Sequence, residues 1–316
     1  MNLRQLRYLG EYVVFRSIVC LANALPPRAS VQVTKSLAFV VHRLLPRKLT
    51  RYHVARDNIR LAFGDRYDDE AIDRLIYEMW VHLFRLLVDA MQMPRKLRRY
   101  NCLDQVRFRN LDAGIRVMST GRPVMVISGH FGNWELATYI FGLFGFPIGV
   151  VARDLDNPYM NRWYEQFRQR VRHIHISKNG GGADMVSILE QGGYLALLAD
   201  QDAGSRGLFV NFFGRSASTF KSIALLALQH RALICVGYAY RLKDDFINHD
   251  GVRYEMGCEE IIDPLDYDNG DAIQAITQRY TAALERVVRR APEQYFWVHR
   301  RWKSVPRKRK LRRPAA

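Results

Sequence analysis

The spacing of apolar residues predicts that the first hundred positions of the chain are helical. An apolar stretch runs through positions 12–25, and Pro26 and Pro27 would end a helix there. A second apolar segment, 36–45, precedes a short basic run. Over positions 69–93, apolar residues recur at intervals of three and four. This is the period of an amphipathic helix.

After about residue 120 the pattern changes to short apolar runs bounded by turn residues, which predicts buried strands. These runs are 124–127, 148–151, 194–198 and 233–240. Helices are predicted between and after them, at 134–143, 160–172, 185–191, 218–230 and about 271–290. Because strands and helices alternate, we predict an α/β fold with a mixed central sheet that helices cover on both faces.

The composition is that of a folded chain with a substantial core, since 48% of the 316 residues are hydrophobic and 12% are aromatic. The four cysteines, at positions 20, 102, 235 and 258, lack the spacing of a zinc or redox motif. We therefore expect free thiols, mostly buried, in a reducing compartment. The sequence also lacks the motifs of P-loops, zincins and hydrolase nucleophile elbows, and no metal or cofactor is expected.

The formal net charge of +17 predicts an acidic partner. Nine Lys or Arg residues lie between positions 300 and 313, and removing them leaves a charge of +8. The charge therefore favours nucleic acid, an anionic membrane surface or a phosphorylated substrate.

The apolar stretch at 12–25 has no cleavage site of the kind that follows a signal peptide. Arg16 and Asn23 interrupt it seven residues apart, which places them on one stripe of a helix. A central arginine makes a complete membrane span unfavourable. We expect either a helix that lies on or anchors to a membrane, or a buried packing helix.

The motif S-G-H-F-G-N-W-E at 128–135 follows the first predicted strand and precedes a predicted helix. His130 would therefore lie beyond the carboxyl end of a buried strand, where α/β sheets usually place active sites. Asn133 is a suitable N-cap, and Glu135 would lie in the first helical turn. Gly129 and Gly132 would leave room for an acyl chain or a sugar.

A histidine in this position could act as the general base that activates a hydroxyl for acyl transfer. A carboxylate on the other ring nitrogen would hold the correct tautomer, as in a serine protease triad. Glu135 is the nearest candidate along the chain. Asp200 follows the strand at 194–198 and should emerge at the same edge of the sheet. Both carboxylates stay open as partners of His130, and a relay through both is a third possibility.

Five sequence blocks together resemble those of the bacterial lipid A biosynthesis late acyltransferases and the related phosphatidylinositol mannoside acyltransferases. They are H-F-G-N-W-E at 130–135, A-R-D-L-D-N-P at 152–158, A-D-Q-D at 199–202, N-F-F-G at 211–214 and W-V-H-R-R-W-K at 297–303. A weaker sixth block is N-I-R-L-A-F at 58–63. The resemblance covers nearly the whole chain and includes the H-x4-D/E pair, here His130 and Glu135.

The resemblance implies an enzyme at the cytoplasmic face of the bacterial inner membrane, with a fold like that of glycerolipid acyltransferases. It would move a fatty acyl group from acyl carrier protein, or from acyl-CoA, to a hydroxyl of an anionic glycolipid such as a lipid A precursor. The expected parts are an N-terminal membrane-associating segment (1–50), the acyltransferase domain (51–303) and a basic tail (304–316).

The family blocks also supply candidate substrate-binding residues. Arg153 could neutralise charge on the substrate or on the tetrahedral intermediate. The aromatic residues around Gly214 could form a fatty-chain pocket, and the basic and aromatic block at 297–303 could bind phosphorylated sugars. The candidates are Asn133, Arg153, Gln201, Asp202, Phe213, Arg300 and Arg301.

Three other readings stay open. One is a related acyl-CoA-dependent enzyme that acts on another membrane glycolipid, such as a phosphatidylinositol mannoside. Another, from a different class, is a basic nucleic-acid-binding protein, although no nucleic-acid module is recognisable and we expect no such partner. The last is a lipid-binding protein without catalysis, against which the intact His130 and Glu135 pair argues.

Overall fold

The computed structural model describes residues 2–249, 251–267 and 270–306, and within these ranges the chain is an α/β protein. The helices are α1 (Leu3–Ala24), α2 (Pro27–Phe39), α3 (Tyr52–Phe63), α4 (Asp69–Lys96), α5 (Cys102–Gln105), α6 (Leu111–Met118), α7 (Trp134–Leu143), α8 (Pro158–Gln169), α9 (Gly182–Glu190), α10 (Ser222–His230) and α11 (Ala272–Arg290). A π-helical turn, Val40–Leu44, continues α2. Short 3-10 turns lie at Gly64–Arg66, Arg99–Asn101, Pro264–Asp266 and Pro292–Gln294.

The strands form one central sheet and one separate hairpin. They are β1 (Val106–Arg109), β2 (Val124–Ser128), β3 (Ile148–Ala152), β4 (Ile174–Ser177), β5 (Tyr194–Leu198), β6 (Leu208–Phe212), β7 (Arg215–Thr219), β8 (Leu233–Arg241) and β9 (Tyr254–Ile262). The central sheet has seven strands in the order β1-β9-β8-β2-β5-β3-β4. Only β8 and β9 pair antiparallel within it, and β6 and β7 form the hairpin. The predicted mixed sheet is confirmed.

Helices cover both faces of the sheet, as predicted, because side chains alternate between the faces along each strand. On β2, Met125 and Ile127 pack into a core shared with α3, α4, α10 and α11. Val124 and Val126 point the other way and pack with residues of α6. A third cluster joins α7 and α8 to the end of α4. The four hydrophobic residues at the start of β2 are thus buried, as expected for a central strand of a largely parallel sheet.

The predicted strands agree with β2, β3, β5 and β8 to within one residue at either end. One predicted helix was wrong at its start, since Ser218 and Thr219 are the last residues of β7 and helix α10 begins at Ser222. Both residues pair with β6, so their backbone groups are satisfied in a hairpin. The sequence pattern did not predict β1, β4, β6, β7 or β9.

The N-terminal helices expose apolar side chains on their outer side. Helix α1 packs on α4 and α8, and α2 packs on α4. The outer face of α1 carries Leu3, Leu6, Val13, Val14 and Leu21, of which Leu3 is 87% exposed. From α2 to the following loop the exposed apolar residues are Val33, Leu37, Phe39, Val40, Leu44, Leu45 and Leu49. Among the described residues, no helix has the length and apolar character to span a bilayer.

Candidate active site

The site centres on two residues that follow adjacent parallel strands. Strands β2 and β5 pair in parallel with Ser128 opposite Leu198. His130 and Asp200 therefore lie the same number of residues beyond this pair, at the carboxyl edge of the sheet. The Asp200 carboxylate accepts two hydrogen bonds of 2.8 Å, one from the His130 backbone N–H and one from the imidazole Nδ1. Both carboxylate oxygens thus hold the histidine.

The hydrogen bonds define which imidazole nitrogen can act as a base. Burial opposes ionisation of Asp200, but the charge of His130 and its hydrogen bonds lower the carboxyl pKa to about 2. An ionised carboxylate only accepts hydrogen bonds, so Nδ1 carries a proton. In the described part of the chain no hydrogen bond engages Nε2. The Nε2 lone pair is therefore available. His130 lines the main cavity, a mostly apolar space of about 990 Å³.

The two glycines of the motif permit close packing and do not leave open space. A Cβ at Gly129 would lie 3.2 Å from the Asp200 carboxylate carbon. Gly132 has a φ of +57°, and a Cβ there would lie 2.1 Å from the carbonyl oxygen of Ala239. The expected room for a substrate beside these glycines is therefore filled by Asp200 and by strand β8. Both positions need glycine to hold His130 where it is.

Glu135 engages other partners. It lies in the first turn of α7, as predicted, and Asn133 caps this helix by accepting a hydrogen bond of 2.9 Å from the Leu136 N–H. The Glu135 carboxylate accepts hydrogen bonds from the Tyr164 hydroxyl at 2.5 Å and the Arg168 guanidinium at 3.2 Å. Within the described residues, no hydrogen bond joins it to His130. The structure thus brings Asp200, and not Glu135, against the imidazole.

Arg168 is nearly inaccessible to solvent, so Glu135 neutralises a buried positive charge. Burial and the charge of Glu135 raise the pKa of Tyr164, so its hydroxyl stays protonated and donates a hydrogen bond to the carboxylate. Arg168 also donates to the Tyr164 oxygen at 2.7 Å. All three side chains line the main cavity, and they give its apolar wall one polar patch.

A second imidazole stands beside the first. The His299 ring centroid lies 4.7 Å from that of His130. Asn58 of α3 holds this segment by donating to the carbonyl oxygens of Trp297 and His299, both at 2.6 Å. Burial, followed by the positive charge of His130, lowers the pKa of His299 to about 4. His299 is therefore neutral near pH 7. The weak sequence block at 58–63 thus has a positioning role that the sequence did not indicate.

A cavity of about 990 Å³ opens beside His130. Its walls are mainly apolar and come from the α6 and α7 side of the sheet, with Val126, Ile140, Phe141, Val150, Ala196 and Met256 among the lining residues. Cys235 and Cys258 also line it, and their sulfur atoms are 2.9 Å apart because β8 and β9 are neighbours. All four cysteines are free thiols, although Cys20 is exposed and Cys258 is only partly buried.

Some predicted substrate-binding residues lie at this cavity. Gln201 and Arg153 line it. The Arg153 side chain is 75% exposed and pairs with Asp156 at 3.3 Å, so it lies at the solvent side of the site. Lys178, which precedes the glycine-rich run N-G-G-G at 179–182, also lines the cavity and donates to Gln201 at 3.5 Å. The sequence did not identify Lys178 because a lysine before glycines is typical of an exposed turn.

The remaining candidates have structural contacts elsewhere. Asn133 is fully buried as the cap of α7. Asp202 accepts hydrogen bonds from the backbone and side chain of Ser304. Phe213 is buried against Phe63 and Trp297, whereas Phe220 does line the cavity. Residues 307–316 of the predicted basic tail lie outside the described residues.

The basic pair after Trp297 is divided between surface and core. Arg300 is exposed. Arg301 is buried, and its guanidinium donates to the Ser218 carbonyl oxygen at 2.5 Å and to the Thr219 hydroxyl at 2.7 Å. It also lies over the Phe212 ring. A guanidinium committed to these partners ties the C-terminal segment to the hairpin and is not free to bind a sugar phosphate.

Comparison with known proteins settles the class of protein. The family model described as bacterial lipid A biosynthesis acyltransferase matches residues 1–304. The chain belongs to this family. It is therefore an acyltransferase, as the sequence blocks predicted, and its family acts in lipid A biosynthesis.

Curated relatives carry matching names. The acyltransferase is 27% identical over 263 residues to the lipid A biosynthesis palmitoleoyltransferase of Escherichia coli (strain K12), and this covers 81% of the chain and 80% of the relative. It is 29% identical over 192 residues to the lipid A biosynthesis lauroyltransferase of the same organism, covering 60% and 59%. A lipid A biosynthesis acyltransferase of Haemophilus influenzae is 26% identical over 186 residues, covering 58% and 56%.

A solved structure is also similar to the acyltransferase at a lower level. It is the 1-acyl-sn-glycerophosphate (LPA) acyltransferase PlsC from Thermotoga maritima, with a TM-score of 0.36 and 11% identity. The match covers 80% of this chain and 98% of that one. The fold assignment rests on the sheet order and the helical layers described above.

Proposed function

We propose that the protein transfers a fatty acyl group from a thioester donor to a hydroxyl of an anionic glycolipid, a lipid A precursor, with His130 as the general base. The observation that carries this proposal is the His130 and Asp200 pair at the mouth of an apolar cavity. A base alone would serve many reactions. A base that borders a cavity of fatty-chain character suits acyl transfer to an alcohol.

The hydrogen-bonded geometry defines the proposed steps. Nε2 of His130 takes the proton of the acceptor hydroxyl as its oxygen attacks the thioester carbonyl. Asp200 stabilises the imidazolium that forms, through the bond to Nδ1. As the tetrahedral intermediate collapses, the C–S bond breaks and the imidazolium returns its proton to the leaving thiolate. The products are an ester and a thiol, and no covalent enzyme intermediate is needed.

The same geometry supports separate roles for the two carboxylates. Asp200 orients the base, whereas Glu135 holds Arg168 and Tyr164 in the cavity wall. Glu135 then contributes through the shape and polarity of the cavity next to the reacting atoms. Of the substrate-binding candidates, Arg153 and Gln201 keep that proposed role, together with Lys178, because all three line the cavity. The cationic groups of Arg153 and Lys178 suit phosphates on the donor or the acceptor.

A membrane surface fits the exposed apolar side chains of α1 and α2. A large exposed apolar surface is typical of a membrane or partner contact. Cationic side chains beside such a face attract anionic lipids. Helix α1 has Arg4, Arg7 and Arg16 around its apolar face. We propose that the protein lies on the cytoplasmic leaflet of the inner membrane with these helices toward the lipid.

The test is acyl transfer by the purified protein to a lipid A precursor, followed by mass spectrometry of the product. Acyl carrier protein and coenzyme A thioesters are compared as donors at equal concentration. His130→Ala should abolish transfer, and His53→Ala, at an exposed histidine outside the cavity, should retain it. Near wild-type transfer by His130→Ala would contradict the proposed base. An acceptor mass unchanged with both donors would contradict the proposed substrate.

A further inference from the structure

A second cleft of about 500 Å³ lies between α1, α4 and α8. Four arginines line it: Arg16 from α1, Arg95 and Arg98 from the end of α4 and the loop after it, and Arg170 from the end of α8. Trp163 and Asn23 lie with them. Within the described residues, no Asp or Glu lines the cleft. We call this feature the arginine cleft.

The protein itself provides hydrogen-bond acceptors for only some of these guanidinium groups. Arg95 donates to the carbonyl oxygen of Asn23 at 2.9 Å, and Arg98 bonds backbone carbonyls at the end of α4. These bonds help to cap helix ends and use one guanidinium nitrogen of each residue. The guanidinium groups of Arg16 and Arg170 have no hydrogen bond or ion pair among the residues that the structure covers. Four guanidiniums that share a concave surface without a carboxylate repel one another, and an anion there would relieve the repulsion.

The position of the cleft along α1 indicates what kind of anion it would meet. Tyr8, Val19 and Ala22 form the inner face of α1, and Leu3, Leu6 and Leu21 belong to its outer, exposed apolar face. With 3.6 residues per turn, Arg16 and Asn23 fall on the border between these faces. If the outer face rests on a bilayer, this border lies at the depth of the lipid headgroups. The arginine cleft then opens toward phosphates of the leaflet.

The cleft is separate from the catalytic cavity, although α8 contributes to both. Tyr164 and Arg168 of α8 line the cavity, whereas Trp163 and Arg170 line the cleft. Trp163 packs edge-on against Phe15 of α1, with ring centroids 4.9 Å apart. Helix α8, which carries part of the cavity wall, thus packs against α1, the helix that bears the proposed membrane face.

We propose that the arginine cleft binds the phosphate of an anionic membrane phospholipid and so fixes how the enzyme sits on the leaflet. This rests on the membrane association put forward under the proposed function. Arginine suits the role because its planar guanidinium can donate two parallel hydrogen bonds to one phosphate. The bound lipid is a structural ligand, distinct from the acyl acceptor at His130.

The experiment measures flotation of the full-length protein with phosphatidylcholine vesicles that contain a minor fraction of phosphatidylglycerol. The test variant is Arg16→Gln/Arg170→Gln. The matched control is Arg4→Gln/Arg7→Gln, which also removes two positive charges, at residues of α1 that do not line the cleft. Diffuse attraction contributes about a fivefold change in binding per charge, and this applies equally to both variants. We expect the cleft variant to lose on the order of tenfold more than the control, because it also loses hydrogen-bonded contacts.

Further arms separate the alternatives. Glycerol phosphate should release the wild-type protein from vesicles more than sodium chloride of equal ionic strength, and equal release would overturn the proposal. Equal losses by the two variants would also overturn it. If the cleft variant binds vesicles normally but requires more acyl carrier protein for transfer in detergent, the cleft serves an acidic protein and the lipid proposal is wrong.

The failures of the two proposals are distinguishable. Wild-type protein that does not float with anionic vesicles contradicts membrane association and the cleft together. Wild-type protein that floats, with both variants floating equally well, contradicts the cleft alone. In detergent without vesicles, transfer by Arg16→Gln/Arg170→Gln should equal that of the wild type, which shows that the variant is folded.

Discussion

Replacing Asp200 by asparagine tests the proposed orientation of the base with the smallest possible change in shape. The carboxylate accepts from two donors, the backbone N–H and the Nδ1–H of His130, each at 2.8 Å. Asparagine has one acceptor oxygen and one NH₂ group, which only donates. If the oxygen stays on the backbone N–H, the NH₂ group faces Nδ1. The imidazole must then move its proton to Nε2, where it blocks the base.

The magnitude follows from the two energies that this change removes. If the asparagine amide instead turns its oxygen toward Nδ1–H, its NH₂ group faces the backbone N–H of His130. Two donors then oppose each other, at a cost of about 1–3 kcal/mol. The imidazolium formed during the reaction also loses an adjacent negative charge, worth about 4 kcal/mol at 4 Å and an effective dielectric constant of 20. Together they predict a fall in kcat/KM of about 10⁴- to 10⁵-fold. An asparagine at the equivalent place in serine protease triads has an effect of about 10⁴-fold.

The assay is the initial rate of acyl transfer to the lipid A precursor over a range of pH, with thermal unfolding as the control for folding. Asp200→Asn is nearly isosteric, so the melting temperature should change far less than the rate. A variant that keeps a tenth or more of the wild-type kcat/KM would refute the assignment of Asp200 as the orienting carboxylate. A large loss of rate caused by unfolding would be visible in the melting curve.

Four further predictions follow from the contacts described above. Glu135→Gln should lower the free energy of unfolding by about 3 kcal/mol, because it leaves the Arg168 guanidinium buried without its carboxylate, and the pH dependence of the remaining activity should stay that of the wild type. Adding Arg168→Gln should then lower the free energy of unfolding little further. Strictly additive losses in thermal unfolding would contradict the pairing. Gly129→Ala should reduce the transfer rate more than the melting temperature, because the new methyl group displaces the Asp200 carboxylate by a few tenths of an ångström; a rate equal to that of the wild type would show that this contact is not critical. Ala196 lines the cavity, so Ala196→Leu should shift donor preference to shorter acyl chains in a competition between two donors, and one methylene changes selectivity by about 1–3 kcal/mol. Unchanged selectivity would mean that the acyl chain binds elsewhere. The free energy of unfolding should fall as the pH is lowered from about 6.5 to 4, by up to about 1.4 kcal/mol per pH unit for each of His82 and His299. The reason is that burial lowers their pKa values to about 3 and about 4, so the unfolded chain binds more protons in this range. His82→Gln should reduce the slope of stability against pH, and an unchanged slope in denaturation at several pH values would contradict the prediction.

The strands that the sequence predicted are those whose residues form a nearly continuous apolar run. Strand β2 is buried on both faces, and a continuous apolar run is visible in the sequence. Edge strands β1 and β4 are partly exposed, so they contain polar residues and resemble loops. Strand β9 contains three glutamates, and two of them, Glu259 and Glu260, pair with Arg286 of α11. Its pattern depends on partners far away in the chain.

The sequence located the catalytic histidine candidate but could not choose its partner. His130 and Asp200 each follow a recognisable strand, and so both were predicted at the same sheet edge. Their contact depends on β2 and β5 being neighbours, which is a property of strand order and not of the local sequence. Glu135 is nearer along the chain, yet its position in α7 directs it toward α8.

Arg301 shows why the basic C-terminal block could not be divided by sequence alone. Arginines next to a basic tail are usually exposed. Arg301 is buried because the end of β7 offers it two acceptor oxygens and Phe212 offers an aromatic face. Neither feature could be seen without knowing that β6 and β7 form a hairpin beside Arg301.

The segment after α11 packs against the candidate active site, and this sets an order of assembly. The Phe296 N–H donates to the His130 carbonyl oxygen, Phe131 pairs with Tyr295, and His299 lies beside the His130 imidazole. These contacts join residues about 165 positions apart, which makes them among the last to form during synthesis. If α1 and α2 bind the leaflet as proposed, a nascent chain on the membrane lacks the complete candidate site until residues 295–301 have left the ribosome. Truncated products of interrupted translation would then occupy the membrane without transferring acyl groups.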